Sequence, residues 1–461
     1  MEIPIGYILI KEEDYLQMCR QIEMMVHRIK ELETRANKNS TNSHKPSSSD
    51  GFKKPVQNNR EKSGKPPGAQ EGHKGKTLEM TKTPDKIEKR PVKGQCSCGR
   101  HLDRQPIINV QKRQEIDLVE KLTQVTEFQI EVKQCSCGCM HFGEEGRLIP
   151  IQYGKQIKAM MVYLNQYGMI PFDRLQEYFK DCFGISVSDG VLVGANKTCF
   201  ENLEQTEIEI KEQIKSSPVI HNDETGLRCE KKTQWVHSSS TQEYTYYSIH
   251  EKRGREAINA IGILPNYTGV SVHDRYSSYN DYDCVHALCN AHLLRDLKEV
   301  IENEKKPWAE YMIAFLIKSK EKKENGKIGK KKLKKLFRKY DFILAEGLEQ
   351  EPPINIPEFI KPGRLKKTKS RLLLEDFKKK KKQILRFLSD PLVPFDNNLA
   401  ERDLRMVKLK QKISGCFRSK KGSQIFCRIR SYISTIRKQG YAVLQSLSSA
   451  LEGNPVSFSI Q

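Results

Sequence analysis

The sequence predicts a multidomain α/β protein built on a mixed sheet. Two strand-like runs each lead to an aspartate: Pro218-Val-Ile-His-Asn-Asp223 and Thr268-Gly-Val-Ser-Val-His-Asp274. Further strand-like runs and a helix lie beside them, at 233–237, 244–249, 255–261 and 285–288. Then comes a long charged helical stretch, and after it a helix start carrying Glu401. Three strands, a helix and more strands is the order of an RNase H-like core, here with an α-helical insertion.

Composition sets the bounds. A chain of 461 residues is long enough for several domains. Its 80 Lys+Arg against 58 Asp+Glu give a formal charge of +22. A surplus of this size points to a polyanionic partner, nucleic acid first. No basic-then-apolar leader and no run of roughly 20 apolar residues is present, so a cytoplasmic protein without membrane spans is expected. The 13 cysteines then read as thiols or metal ligands rather than disulfides.

From the N-terminus, residues 8–36 suit an amphipathic helix. Tyr15, Ile22 and Ile29 recur every seven residues, as do Met18, Met25 and Leu32. These are the a and d positions of a coiled coil, implying either dimerisation or packing on the chain itself. Residues 37–90 form a basic linker rich in Ser, Pro, Gly and Lys, too poor in apolar side chains to fold alone. It is a plain tether or a cationic arm along phosphates.

Residues 91–145 hold two cysteine clusters. Cys96 and Cys98 precede an alternating segment, and Cys135 and Cys137 follow it. Four thiolates brought together by a hairpin suit Zn²⁺, although Cys-x-Cys is tighter than the usual knuckle spacing. Cys139 or His141 is an alternative to Cys137 as the fourth ligand.

Residues 150–215 read as helices, with Leu175, Tyr178 and Phe179 at helical spacing and a turn at 184–190. Helix, turn, helix allows a DNA-reading role or a packing one. The first part of the core spans 216–300. The basic helical insertion spans 301–390, with Leu333, Leu336 and Phe337 forming an apolar face inside a lysine run. The core resumes at 391–440, and 441–461 is a C-terminal tail.

Phosphodiester chemistry needs charge stabilisation and in-line geometry. Two Mg²⁺ (or Mn²⁺) ions about 3.5–4 Å apart supply both, held by a few carboxylates. Asp223, Asp274 and Glu401 are the candidates. Glu224, Asp281, Asp283, Asp396 and Asp403 are rivals that spacing alone does not exclude. Glu401 also fits a capping box with Asn398. Helical periodicity places Asn397, Glu401, Arg405 and Lys408 on one face, with Ala400, Leu404 and Val407 packed opposite. Arg402, Arg405, Lys408, Lys410, Lys412 and Arg418 are candidate phosphate-binding cations. His273 and Arg275 flank the second aspartate and are further possible DNA contacts, a surface histidine being the plainer expectation.

Several motifs in one order now bear on the family. They are Asp223-Glu-Thr225, Asp274-Arg-Tyr-Ser-Ser-Tyr279, Cys289-Asn-Ala-His292, Asp396-Asn-Asn-Leu-Ala-Glu-Arg-Asp-Leu-Arg405, Lys410-Gln-Lys-Ile-Ser-Gly415 and Phe426-Cys-Arg-Ile-Arg-Ser431. Together with the 8–36 helix, the linker and the cysteine clusters, they resemble the IS66 family of insertion-sequence transposases. The resemblance implies a DDE transposase whose acidic triad falls on Asp223, Asp274 and Glu401. It implies DNA partners, namely element terminal repeats and target, a homo-oligomer, and companion proteins of the same element. It also implies that Cys289 and His292 are structural or DNA-organising. A catalytically silent DNA-binding remnant, or an RNase H-like nuclease that does not join strands, is the alternative.

Overall fold

The computed structural model describes residues 10–38 and 42, short stretches between 80 and 142, and 152–459 apart from 327 and 352–366. The chain forms two compact units, Gln57–Leu148 and the remainder (Met1–Val56 with Ile149–Gln461).

In the smaller unit, β1 (Val132–Gln134) and β2 (Met140–Phe142) pair antiparallel, with Val132 opposite Phe142 and Gln134 opposite Met140. The second cysteine cluster is the connection of this hairpin. Cys98 and Cys137 are exposed. Cys96 and Cys135 lie outside the described residues.

The larger unit begins with α1 (Glu12–Ala36), three acidic residues in its first turn suiting the helix dipole. Tyr15, Met18, Ile22, Met25, Ile29 and Leu32 are 48–56% exposed, so within this chain the heptad stripe stays largely uncovered. Next come α2 (Lys155–Val162), running into one π-helical turn, then α3 (Phe172–Phe183), α4 (Asp189–Asn202) and α5 (Glu204–Ser216). Gly184 ends α3 in a left-handed conformation, φ +67°, which glycine adopts without a Cβ clash. Leu175, Phe179, Leu192, Ala195 and Cys199 are buried, joining these helices to the apolar cluster that Ile429, Ile433 and Leu447 also enter.

The central sheet follows: β3 (Val219–Cys229), β4 (Lys232–Ser240), β5 (Thr245–His250), α6 (Arg255–Ile261), β6 (Val270–His273) and β7 (Val285–Leu288). Strand order is β5-β4-β3-β6-β7. β3, β4 and β5 are antiparallel neighbours, whereas β6 runs parallel to β3 and β7 parallel to β6. The protein is thus α/β with a mixed five-stranded sheet. β3 does not end at Asp223, as the sequence suggested. It continues six residues to Cys229 because β4 keeps pairing with it after β6 has turned away.

The remaining helices are α7 (Asn290–Glu304), α8 (Pro307–Glu324), α9 (Lys330–Gln350), α10 (Lys369–Lys379), α11 (Lys381–Ile384), α12 (Arg386–Ser389), α13 (Asn398–Ser414), α14 (Lys420–Lys438) and α15 (Val443–Leu451). Helices α7–α12 share an apolar core with β6 and β7, centred on Trp308, Tyr340 and Phe377. Leu336 is buried there, and Leu333 and Phe337 pack against it, leaving the lysines of α9 outward. Gly347 permits this packing, since a Cβ would come within 2.6 Å of Leu374 and 2.9 Å of Trp308. Leu404 and Val407 of α13 and Phe426 of α14 cover β3–β5. No helix among the described residues is long and apolar enough to cross a membrane.

Candidate active site

The sheet register brings the two aspartates level. His221 pairs with Val272 across the parallel β3–β6 ladder. Asp223 and Asp274 each stand two residues further on, so side-chain alternation gives them the same parity on adjacent strands. Asp223 Oδ1 accepts from the Glu224 amide at 2.9 Å, and Asp274 Oδ1 from the Tyr276 amide at 2.8 Å. Neither aspartate pairs with a cation among the described residues. Burial pushes the Asp223 carboxyl well above its ordinary range, and the charges of Glu224, Asp274 and Glu401 push it further. The third carboxylate is therefore within electrostatic reach of the first.

Glu401 arrives from the first turn of α13, and that helix is fastened before it begins. The Asn397 amide donates to Cys289 Sγ at 3.2 Å. Asn397 Nδ2 donates to the Asn222 carbonyl at 2.8 Å, and its Oδ1 meets His221 Nδ1 at 2.8 Å. The Asn290 amide donates to the Phe395 carbonyl at 3.0 Å. The starts of α7 and α13 are thereby stitched to β3, one helical turn from His292 and Glu401 respectively. The expected capping roles are not seen. Asn397 occupies the cap position, but its side chain goes to the sheet, and Glu401 is not part of a capping box. Instead, Asp396 Oδ1 accepts from the Asn398 amide at 3.1 Å.

Glu401 faces three neighbours. His292 Nδ1 lies 3.7 Å from its Oε1, and Arg295 Nη2 lies 4.0 Å from its Oε2. Burial raises its carboxyl; Arg295 and Arg405 pull it down, while Asp396 and Asp274 push it up. The Cys289 thiol is pushed up to about 12, by burial first and then by the Glu401 charge. The sulfur, imidazole nitrogen and carboxylate oxygen of Cys289, His292 and Glu401 lie within 4.8 Å of one another. Among the described residues no other three such side chains converge as closely.

The rival carboxylates are occupied otherwise. Glu224 is buried, ion-paired to Arg253 at 2.7 Å, and accepts from the Tyr279 hydroxyl. Arg253 in turn lies over the Tyr276 ring at 4.1 Å and the Trp235 ring at 4.9 Å. Asp403 accepts from Ser240 Oγ at 2.7 Å, Thr245 Oγ1 at 3.0 Å and Lys438 Nζ at 2.9 Å, tying α13 to β4, β5 and α14. Asp281 and Asp283 are exposed. His273 is not a surface residue: it is fully buried, and burial lowers its pKa to about 3. Its Nε2 faces His286 Nδ1 at 2.9 Å. Arg275 is likewise taken up, bridging Asp296 of α7 and Asp376 of α10.

Among the candidate cations, Arg402, Arg405, Lys408, Lys412 and Arg418 are exposed and Lys410 is half-buried. Lys408 already donates to the Gly226 carbonyl at 2.7 Å.

A sequence profile described as Transposase IS66 family matches residues 150–425, from α2 into α14. The chain belongs to the IS66 transposase family. The match takes in the whole sheet, the insertion and all three acidic candidates. A second profile, described as a family of unknown function (DUF6444), matches residues 9–79. No curated protein matches the sequence. Membership of the IS66 family carries a transposase role, and with it action on DNA.

Proposed function

We propose that this IS66 transposase is a DDE enzyme that cleaves one DNA strand at its element's ends and then transfers a 3′-hydroxyl end into target DNA. The observation that carries the reading is the level placement of Asp223 and Asp274 on parallel neighbours, with Glu401 in the first turn of a helix whose start Asn397 ties to β3. The sheet order, three antiparallel strands continued by two parallel ones, supports an RNase H-like core with residues 301–390 as its insertion.

The donors suit hard divalent cations. The oxygens of Asp223 and Asp274, without a cationic partner among the described residues, are what Mg²⁺ or Mn²⁺ accepts, and close like charges make the site costly without positive charge. Two ions held by Asp223, Asp274 and Glu401 would supply activation of the attacking oxygen and stabilisation of the leaving one. The chain's own residues do the rest. Asn397 sets the position of Glu401 against β3. Arg295 and Arg405 moderate its charge. Arg253 holds Glu224 out of the site. The exposed cations of α13 and the following loop, Arg402, Arg405, Lys412 and Arg418, suit a phosphate backbone.

The other parts fit the same account. The uncovered heptad stripe of α1 supports a coiled coil between copies, hence a homo-oligomer. The hairpin carrying Cys137 supports a Zn²⁺-binding segment at 91–145. Residues 37–90 are the basic linker, 150–215 the helical packing or DNA-binding region, and 441–461 the tail. The site of action is the bacterial cytoplasm, with companion proteins of the element as further partners.

The test is incubation of the full chain with DNA bearing the element's terminal repeats, with Mg²⁺ or with chelator. Metal-dependent nicks followed by joined product support the reading. Binding without nicks would select a silent DNA-binding remnant, and nicks without joining a simple nuclease.

A further inference from the structure

Beside the aspartates stands a constellation of different chemistry. Cys289 follows β7, His292 sits in the first turn of α7, and Glu401 in the first turn of α13. Cys289 caps α7 in extended backbone, and its sulfur and the His292 ring turn toward the same point. There they meet the carboxylate from the other helix, all three ligand atoms lying within 4.8 Å. The 3.7 Å between His292 Nδ1 and Glu401 Oε1 is too long for a hydrogen bond. It is close to the roughly 3.4–3.6 Å that separates N, O and S ligands around tetrahedral zinc.

A second observation concerns Glu401 alone. Its Oε1 is enclosed and accepts no hydrogen bond among the described residues. A buried carboxylate oxygen without a donor is costly, and a cation between it and the imidazole removes the cost.

We propose that Cys289, His292 and Glu401 bind one thiophilic divalent cation, of which Zn²⁺ is the type, at a site that shares only Glu401 with the one at Asp223 and Asp274. The donor set decides the class. Thiolate with imidazole selects zinc-like ions, whereas Mg²⁺ asks for oxygen throughout. Three protein ligands leave one position for water. Binding breaks the Cys289 S–H bond, forms a metal–sulfur bond and releases the proton to solvent. The ion joins the first turn of α7 to the first turn of α13 through Oε1, leaving Oε2 on the Arg295 side. The site itself stands on these three side chains. Its consequence, that the ion fixes the third catalytic carboxylate, rests on the DDE reading.

The experiment measures zinc per chain in the full-length protein and, after exchange, the thiolate-to-metal charge-transfer absorption with Co²⁺. Because the 91–145 cysteines are candidate ligands for the same ions, variants carry the comparison. Wild type is expected to hold one zinc more than Cys289→Ser. Asp223→Asn is expected to match wild type. His292→Gln, which spares the buried thiol, is expected to weaken the last zinc by roughly tenfold or more, since even an outer partner is worth that much. Equal zinc and identical cobalt spectra in wild type, Cys289→Ser and His292→Gln overturn the proposal. A zinc difference combined with undiminished cleavage by Asp223→Asn would keep this site and sink the DDE reading. The opposite pair of results would keep the DDE reading and sink this site.

Discussion

Asn397 Nδ2 donates to the Asn222 carbonyl oxygen at 2.8 Å, fastening the start of α13 to β3 one residue from Asp223. Glu401 is one turn further along the same helix, and its amide donates to the Asn397 carbonyl at 3.2 Å. One buried amide therefore sets the spacing between the first and third acidic residues. Replacing it by leucine strands the Asn222 carbonyl and His221 Nδ1. At about 1–3 kcal/mol for each buried group left unpartnered, Asn397→Leu should lose about 2–6 kcal/mol in urea unfolding. Strand cleavage should fall further than DNA affinity. Unchanged stability would contradict the strut.

The acidic cluster makes the metal-free protein pH-sensitive, with a definite sign. The Asp223 carboxyl lies well above its ordinary 3.8, through burial first and then its acidic neighbours. A raised folded pKa means that the folded state keeps a proton which the unfolded chain has lost. Stability is therefore full below the ordinary value and declines as pH rises through the raised one. In chelator, Asp223→Asn should melt higher than wild type at neutral pH and show a flatter pH profile. Added Mg²⁺ should narrow that difference by stabilising wild type. Parallel melting curves for the two proteins at every pH would count against a crowded acidic site.

How much of this was legible in the sequence depends on the range of the interaction. The runs of β6 and β7 show in their apolar side chains, and 255–261 is α6 as its periodicity predicts. Lateral pairing is not written locally, so β3 outlasts its apparent end at Asp223. Asn398 fits a capping box because short polar residues before a helix usually cap it, but the residue at the cap position is Asn397, and its side chain leaves the helix. Its actual partners, His221 and Asn222, are 176 and 175 residues away. His273 looked like a surface residue, and only the fold shows it enclosed against His286 and Tyr279. The motif Cys289-Asn-Ala-His292 is visible as a spacing, but its approach to Glu401 depends on two helix starts meeting.

Asp403 separates structure from chemistry two residues beyond Glu401. Its carboxylate carries the Ser240, Thr245 and Lys438 contacts in a mostly buried position. Asp403→Ala leaves Lys438 charged and unpaired, a loss expected at about 3–5 kcal/mol. The variant should aggregate or melt early, and whatever remains folded should still cleave. Full stability without cleavage would instead make Asp403 a member of the site.

The α13 cations differ in kind. Arg405 is exposed beyond Glu401, whereas Lys408 is engaged with the Gly226 carbonyl. Arg405→Ala should weaken binding to any duplex and reduce the salt slope of log affinity by about 0.9, one phosphate contact's worth. Lys408→Met should cost stability as well as affinity. Titrations at several salt concentrations distinguish them. An unchanged slope for Arg405→Ala would remove it from the DNA face.

Glu401→Gln removes one charge from the acidic triad and keeps the shape of the side chain. The measurement is Mg²⁺-dependent nicking of DNA carrying the element's terminal repeats, with affinity for the same DNA measured in parallel. The account predicts wild-type affinity and no nicking. Nicking at the wild-type rate would contradict it.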